Sequence, residues 1–266
     1  MFARLSVPLA LAGGWVVGLA EYTGGLTILL LTSFRGCFSS PFRGRLALYE
    51  LWKIGAQSWF IASICSLFVG MVLAFQSAYQ MQKLGAEIYI ASLVALSIVR
   101  EIGPVMTALI VAGRVGSAIA AELGTMKVTE QIDALSTLAI DPVRYLVVPR
   151  LVASMIALPL LTIWADTLGI LGGFIVGTVK LRVLPTLYWK MTVTPLVVKD
   201  LASGLLKSWV FALIICVVSC YQGFRTEGGA EGVGQSTTAA VVSAFLLIIA
   251  SDCVLTALFY FVQVRG

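Results

Sequence analysis

The 266-residue sequence contains no histidine. That absence removes imidazole acid–base chemistry, Ser-His-Asp triads and the commonest metal ligand. Cysteine is sparse: Cys37, Cys65, Cys216, Cys220 and Cys253 form no Cys-x-x-Cys pair, and all but Cys37 lie in apolar runs, where cysteine behaves as a small hydrophobe. Neither a metal site nor a redox centre is expected from them. Charged residues make up only 12% of the chain, against 59% hydrophobic residues and a mean hydropathy of +0.99, whereas soluble domains carry ~25% charge. No internal repeat appears, so an inverted-repeat transporter has no support. The net charge of +5 comes from basic residues at the ends of apolar runs. It forms no stripe with interleaved aromatics, so no nucleic-acid partner is expected.

What the chain does have is long apolar runs. Several exceed the ~20 residues a helix needs to cross a ~30 Å hydrocarbon core, and the alternating segments of a membrane β-barrel are missing. The expected fold class is an all-α integral membrane protein with five transmembrane helices, at about 54–79, 88–120, 143–178, 200–222 and 237–262. The opening MFARLSVPLALAGG mimics a signal peptide, with Arg4 and the Ala-x-Ala of Ala10 to Ala12, and is expected to be retained. Residues 5–34 are apolar but interrupted by Glu21 and Gly24-Gly25, which favours a re-entrant or interfacial segment over a clean span.

Arg35, Arg43, Arg45 and Lys53 mark a cytoplasmic face by the positive-inside rule. Five spans then put Lys127, Arg144 and Arg150 inside as the rule demands, but Lys180, Arg182, Lys190, Lys199 and Lys207 outside, against it. Gly169, Gly173 and Gly177 form overlapping GxxxG steps, and Gly113, Gly116, Ser117 and Ala120 a second small-residue strip; both signal close helix packing.

Three stretches carry candidate chemistry. Gly229 to Ser236, GAEGVGQS, has P-loop spacing but places Gln235 where the lysine belongs and follows no strand, so it reads as a flexible glycine-rich loop and any ATP belongs to another subunit. Arg100 and Glu101 lie about 12 residues into the second span, ~18 Å deep. Charges there need a partner or a water-filled cavity, and adjacent helical residues cannot neutralise one another, so their partners lie elsewhere. Pro104 cannot donate to the Arg100 carbonyl, so the backbone is kinked at the same place. A ligand-facing pocket and an interhelix ion pair both remain open; in a pocket, the planar fork of arginine suits a phosphate headgroup. Asp166 and Asp252, alone in the third and fifth spans, are expected to be satisfied bundle contacts.

The third stretch, AELGTMKVTEQIDAL at 121–135, concentrates Glu122, Lys127, Glu130 and Asp133 in an apolar chain. On a helix, Val128, Ile132, Leu135 and Ala139 share one face and the charges take the rest. Gly124 is expected to interrupt the preceding helix, Thr125 to cap a new one, and Asp141-Pro142 to start the next span. A separate amphipathic helix is therefore expected over about 125–139, with its polar face toward water or a protein.

These residues also carry a family resemblance. The run from Val94 to Ala153, VALSIVREIGPVMTALIVAGRVGSAIAAELGTMKVTEQIDALSTLAIDPVRYLVVPRLVA, resembles the MlaE/YrbE permeases of ABC transporters that move phospholipids between Gram-negative membranes. So do GMVLAFQ (70–76), LPLLT (158–162), GLLKS (204–208), GAEGVGQSTTAAVV (229–242) and DCVLTAL (252–258). The resemblance implies an N-terminal segment over 1–45 and a permease domain over 46–266, with no catalytic site of its own. It implies an inner-membrane homodimer with a cytoplasmic ATPase that binds the ATP, a periplasmic MCE-domain protein and a STAS-domain protein. A cytoplasmic coupling helix at 125–139 would present Lys127, Glu130, Gln131, Asp133 and Leu135 to the ATPase. Arg100, Glu101 and Pro104, with Gln76 and Leu84 from the outer end of the first span, would line the lipid cavity. The basic 180–207 segment would lie outside. A permease for sterols or other hydrophobic lipids is the nearest alternative; an intramembrane lipid-modifying enzyme using Asp166, Asp252 or Glu101 is the other.

Overall fold

In a computed structural model of the chain, which describes residues 2–37, 44–83 and 85–265, the elements are helical throughout and no strand occurs among the described residues. Hydrocarbon dictates this, because a spanning segment must satisfy its backbone polar groups internally. The helices are α1 (Phe2–Cys37), α2 (Gly44–Gly55), α3 (Trp59–Gln82), α4 (Ile90–Val128), α5 (Gln131–Thr137), α6 (Val143–Val179), α7 (Pro185–Val193), α8 (Val198–Phe224) and α9 (Gly229–Arg265). Five stretches are long and apolar enough to cross a membrane: Gly44–Gln82, Ile90–Val128, Val143–Val179, Val198–Phe224 and Gly229–Phe261.

Several boundaries differ from expectation. The N-terminal segment is one helix, α1, that runs unbroken through Glu21 and Gly24-Gly25. Of its glycine pair, Gly25 serves packing, lying under the Tyr221 ring of α8, where Tyr22 also meets Tyr221 edge-on at 5.4 Å; Gly24 faces open space. The first span is longer than predicted and broken at Ala56–Ser58 between α2 and α3. Arg114 of α4 pins that break, donating to Ser58 Oγ at 2.8 Å and to Gln57 Oε1 at 2.9 Å. Residues 229–236 form the first turns of α9 rather than a loop; positive φ at Gly228 and Gly229 lets the chain turn there. The 180–199 segment carries a helix, α7, whose Tyr188 is buried.

α3 and α6 run side by side in the same direction. Ala62, Ser66, Gly70, Ala74 and Ala78 form a four-residue repeat of small buried positions on α3. It meets the predicted glycine face of α6: a Cβ at Gly70 would collide with the Gly169 carbonyl, and one at Gly172 with the backbone of Leu67. The second predicted strip also packs: Gly116 faces Ser219 of α8 and Gly113 faces Phe245 of α9. The main core lies among α4, α6 and α8, around Val111, Leu158, Phe211 and Ile215.

Two prolines are absorbed by wide, π-helical turns at Ile98–Ile102 and Val143–Val147. Gly103 N–H reaches back to the Ile98 carbonyl and Val148 N–H to that of Val143, one residue further than in an α-helix. Each turn precedes a proline, Pro104 or Pro149, that has no N–H to continue the regular ladder.

Candidate functional site: a charge cluster within the spans

The wide turn of α4 presents Arg100 and Glu101 to different neighbours. Arg100 donates through Nε and Nη2 to Asp200 Oδ1, both at 2.8 Å. Asp200 is itself fixed, because its Oδ2 accepts the Val197 N–H at 3.1 Å and so closes the start of α8. Arg100 therefore reaches toward the end of the α8 span, nearer the membrane boundary than a count along α4 implies. Glu101 pairs with Lys207, whose ammonium also donates to Thr256 Oγ1 at 2.8 Å and lies 2.9 Å from Asp252 Oδ1. Thr256 donates in turn to Glu101 Oε1 at 3.1 Å. Three helices, α4, α8 and α9, thus meet through one polar network.

Burial within the cluster is uneven. The Asp200 and Lys207 side chains are 2% and 1% exposed, while those of Arg100 and Glu101 keep 43% and 40%. The buried members neutralise and orient; the open ones keep charged surface exposed. Of the two readings left open by the sequence, the structure shows the interhelix ion pairing, and Arg100 and Glu101 keep exposed surface besides. Gly204 lets α4 and α8 touch here, since a Cβ would strike the Val99 carbonyl and meet the Pro104 ring at 3.4 Å. Gln76 is exposed on α3, Pro104 is buried against α8, and Leu84 lies outside the described residues.

Asp252 joins the cluster as a bundle contact. Asp166 does not: it is buried against Gly103, and its Oδ1 has no hydrogen-bond partner. The engagement of Glu101 and Asp252 by Lys207 leaves neither carboxylate a free acid–base pair, which weighs against the lipid-modifying enzyme. Sequence reasoning does not single out Asp200 or Lys207, and it groups Lys207 with the basic residues of the outer side. The available signal was a lysine inside the apolar run LLKSWVFALII, seven residues after Asp200 and hence on the same helix face.

At the opposite end of α4 the charged stretch takes a different form from the one expected. α4 runs through Gly124 without interruption, because that glycine serves close packing on Thr226, and Thr125 bonds back to Ala121. The chain turns only at Thr129–Glu130, with Glu130 in the left-handed region at φ 60°. The separate helix is α5, shorter than 125–139. Ile132 is buried and Leu135 packs on the core, whereas Val128 is 36% exposed and Ala139 is exposed. Lys127 reaches Asp133 at 3.0 Å across the turn, and Gln131 is exposed at the start of α5. Glu122 faces inward: it pairs with Lys53 of α2 at 2.6 Å and with Arg150 of α6 at 2.9 Å, and Arg150 also meets Glu50 at 3.2 Å. Asp141 does start the next span, accepting the Val143 N–H at 2.9 Å.

The sequence profile of a family described as Permease MlaE matches residues 47–258, which include both clusters and α5. A probable ABC transporter permease protein of Rickettsia typhi is 42% identical over 250 residues, 94% of this chain and 96% of that protein. The intermembrane phospholipid transport system permease protein MlaE of Haemophilus influenzae is 37% identical over 216 residues, 81% of this chain and 83% of its own length. TRIGALACTOSYLDIACYLGLYCEROL 1, a chloroplast protein of Arabidopsis thaliana, is 40% identical over 81% of this chain and 62% of its own. The chain is accordingly a multi-pass membrane protein that belongs to the MlaE permease family of ABC transporters.

Proposed function

We propose that the chain is the inner-membrane permease subunit of an ABC transporter that moves phospholipids between the inner and outer membranes. The observation that carries this reading is the Arg100 guanidinium, held from one side by buried Asp200 and open on the other. Its remaining N–H donors form a fork suited to a phosphate, and Asp200 fixes its direction. Glu101, beside it, is tied to Lys207 and so leaves Arg100 as the accessible cation. Gln76, Leu84 and Pro104 are assigned to the same lipid path.

Force would enter at α5, where Lys127, Glu130, Gln131, Asp133 and Leu135 meet a cytoplasmic ATPase that binds the ATP. α4 then connects that contact to Arg100 through one helix. Two copies would pair about the sparsely covered α9, whose most apolar window is only 11% buried within one chain. A periplasmic MCE-domain protein would receive the lipid at the Arg100 end, and a STAS-domain protein would sit on the ATPase. In support, the family profile covers residues 47–258, and the phospholipid permease of Haemophilus influenzae is 37% identical over 81% of this chain.

The test is reconstitution of the chain with its ATPase and MCE partners in vesicles carrying a labelled phospholipid. ATP-dependent transfer to acceptor vesicles, lost with a hydrolysis-dead ATPase, is expected. Transfer of a sterol but not of a phospholipid would overturn the substrate.

A further inference from the structure

Away from the Arg100 cluster, a groove of about 670 Å³ runs between α2, the start of α3 and α6. Its walls are apolar, with Leu48, Trp52, Gly55, Trp59, Leu160 and Trp164 along its length. The Trp164 indole N–H is spent on Ser63 Oγ at 2.8 Å, and Trp59 stacks beside Trp164 at 5.5 Å, so both rings offer hydrocarbon-like faces to the groove. On α2 the wall residues Leu48, Trp52 and Gly55 follow Arg45 at spacings of three, four and three, placing all four on one helical face. Arg45 is exposed and makes no ion pair among the described residues. It stands at the outer end of an otherwise apolar stripe.

Length gives the stripe a meaning. α2 runs alongside α6, as the Glu50–Arg150 pair and the Gly55–Ala157 contact record, so distance along it measures depth in the membrane. Within α2, from Arg45 to Gly55 is ~15 Å at 1.5 Å per residue, about half the thickness of the hydrocarbon core. The groove's volume is ample for one acyl chain laid along it.

We propose that this groove is a second lipid seat, separate from the Arg100 cluster, that holds one anionic phospholipid of the leaflet in which Arg45 lies. The phosphate sits at Arg45 and one acyl chain lies along Trp52, Gly55 and Trp59 to Trp164. Gly55 opens the groove: a Cβ there meets only the Ala157 methyl, at 3.9 Å, so Gly55→Leu is the variant expected to fill it.

The full chain, in nanodiscs of phosphatidylcholine with phosphatidylglycerol, is photolabelled with phosphatidylglycerol carrying a diazirine in one acyl chain, and the labelled peptides are mapped. Label is expected on the peptides containing Trp52, Trp59 and Trp164, is lost in Gly55→Leu, and exceeds that from the phosphatidylcholine analogue. Arg45→Gln is expected to lower that preference by about fivefold, the effect of one basic residue at an anionic surface. Equal labelling by the two lipids, unchanged labelling in Gly55→Leu, or crosslinks from these tryptophans to a second copy or another protein would overturn the proposal. The mapping in the unaltered chain stands even where a variant fails to assemble.

Discussion

Lys207 and Glu101, 106 residues apart in sequence, form an ion pair between α8 and α4 in which the lysine side chain is 1% exposed. An ammonium buried this far inside a span is stable only with its carboxylates in place. The pair therefore sets the spacing of the two helices that carry Arg100 and its anchor, Asp200.

Lys207→Met leaves Glu101 and Asp252 without their shared cation. Breaking one partner of a buried pair costs ~3–5 kcal/mol, so the variant is expected to unfold at clearly lower temperature in detergent. Adding Glu101→Gln and Asp252→Asn is expected to restore much of the loss. A single variant with unchanged melting temperature would show that the pair does not hold the helices.

The α3–α6 contact gives a contrast between glycines. Gly70→Leu forces apart helices that meet at the Gly169 carbonyl and is expected to prevent stable assembly. Gly24→Ala meets nothing within 4 Å, and the gain in helix propensity is expected to stabilise by ~1 kcal/mol. Thermal unfolding of both variants in one detergent checks the pair. Similar effects would contradict the packing.

At α5, a single neutralisation such as Asp133→Asn removes only an exposed pair worth ~0–1 kcal/mol and is expected to leave ATPase binding intact. Reversing two charges, Glu130→Lys with Asp133→Lys, is expected to abolish ATPase co-purification while the chain still inserts. Like-charge repulsion across an interface costs several kcal/mol. Normal recovery of the ATPase and normal coupled hydrolysis would remove α5 from the coupling role.

Residues 180–199 and the C-terminus are expected on the periplasmic side despite their basic charge. In a background free of native cysteines, Pro185→Cys is expected to react with a reagent that cannot cross the inner membrane. Reaction only after permeabilisation would invert the topology.

The fold was largely legible because apolar length alone identifies spans, and the GxxxG face of Gly169, Gly173 and Gly177 lies where helices touch. Arg100 and Glu101 were legible for the same reason: charge in an apolar run is conspicuous. Their partners were not. Lys207 lies inside the expected 200–222 span, but grouping it with the basic residues of 180–199 hid this, and only the packing of α8 on α4 and α9 shows that it is buried. Gly124 looked like a helix breaker because sequence does not reveal that Thr226 packs on it. The π-helical turn before Pro104 was foreseen as a kink but not as a widened ladder, since either relieves the missing N–H.

The claim that Arg100 receives the phosphate is tested most directly by the phospholipid bound per purified complex in Arg100→Ala, measured beside ATP-driven transport. Because Arg100→Ala strands the buried Asp200 carboxylate, which keeps only the Val197 N–H, it is measured with Asp200→Asn added, and that pair of changes is expected to assemble normally. Bound phospholipid and transport are both expected to fall about tenfold or more, the loss of a charge-assisted phosphate contact. Normal assembly with unchanged lipid content and unchanged transport would contradict the account and leave Arg100 as a structural partner of Asp200 alone.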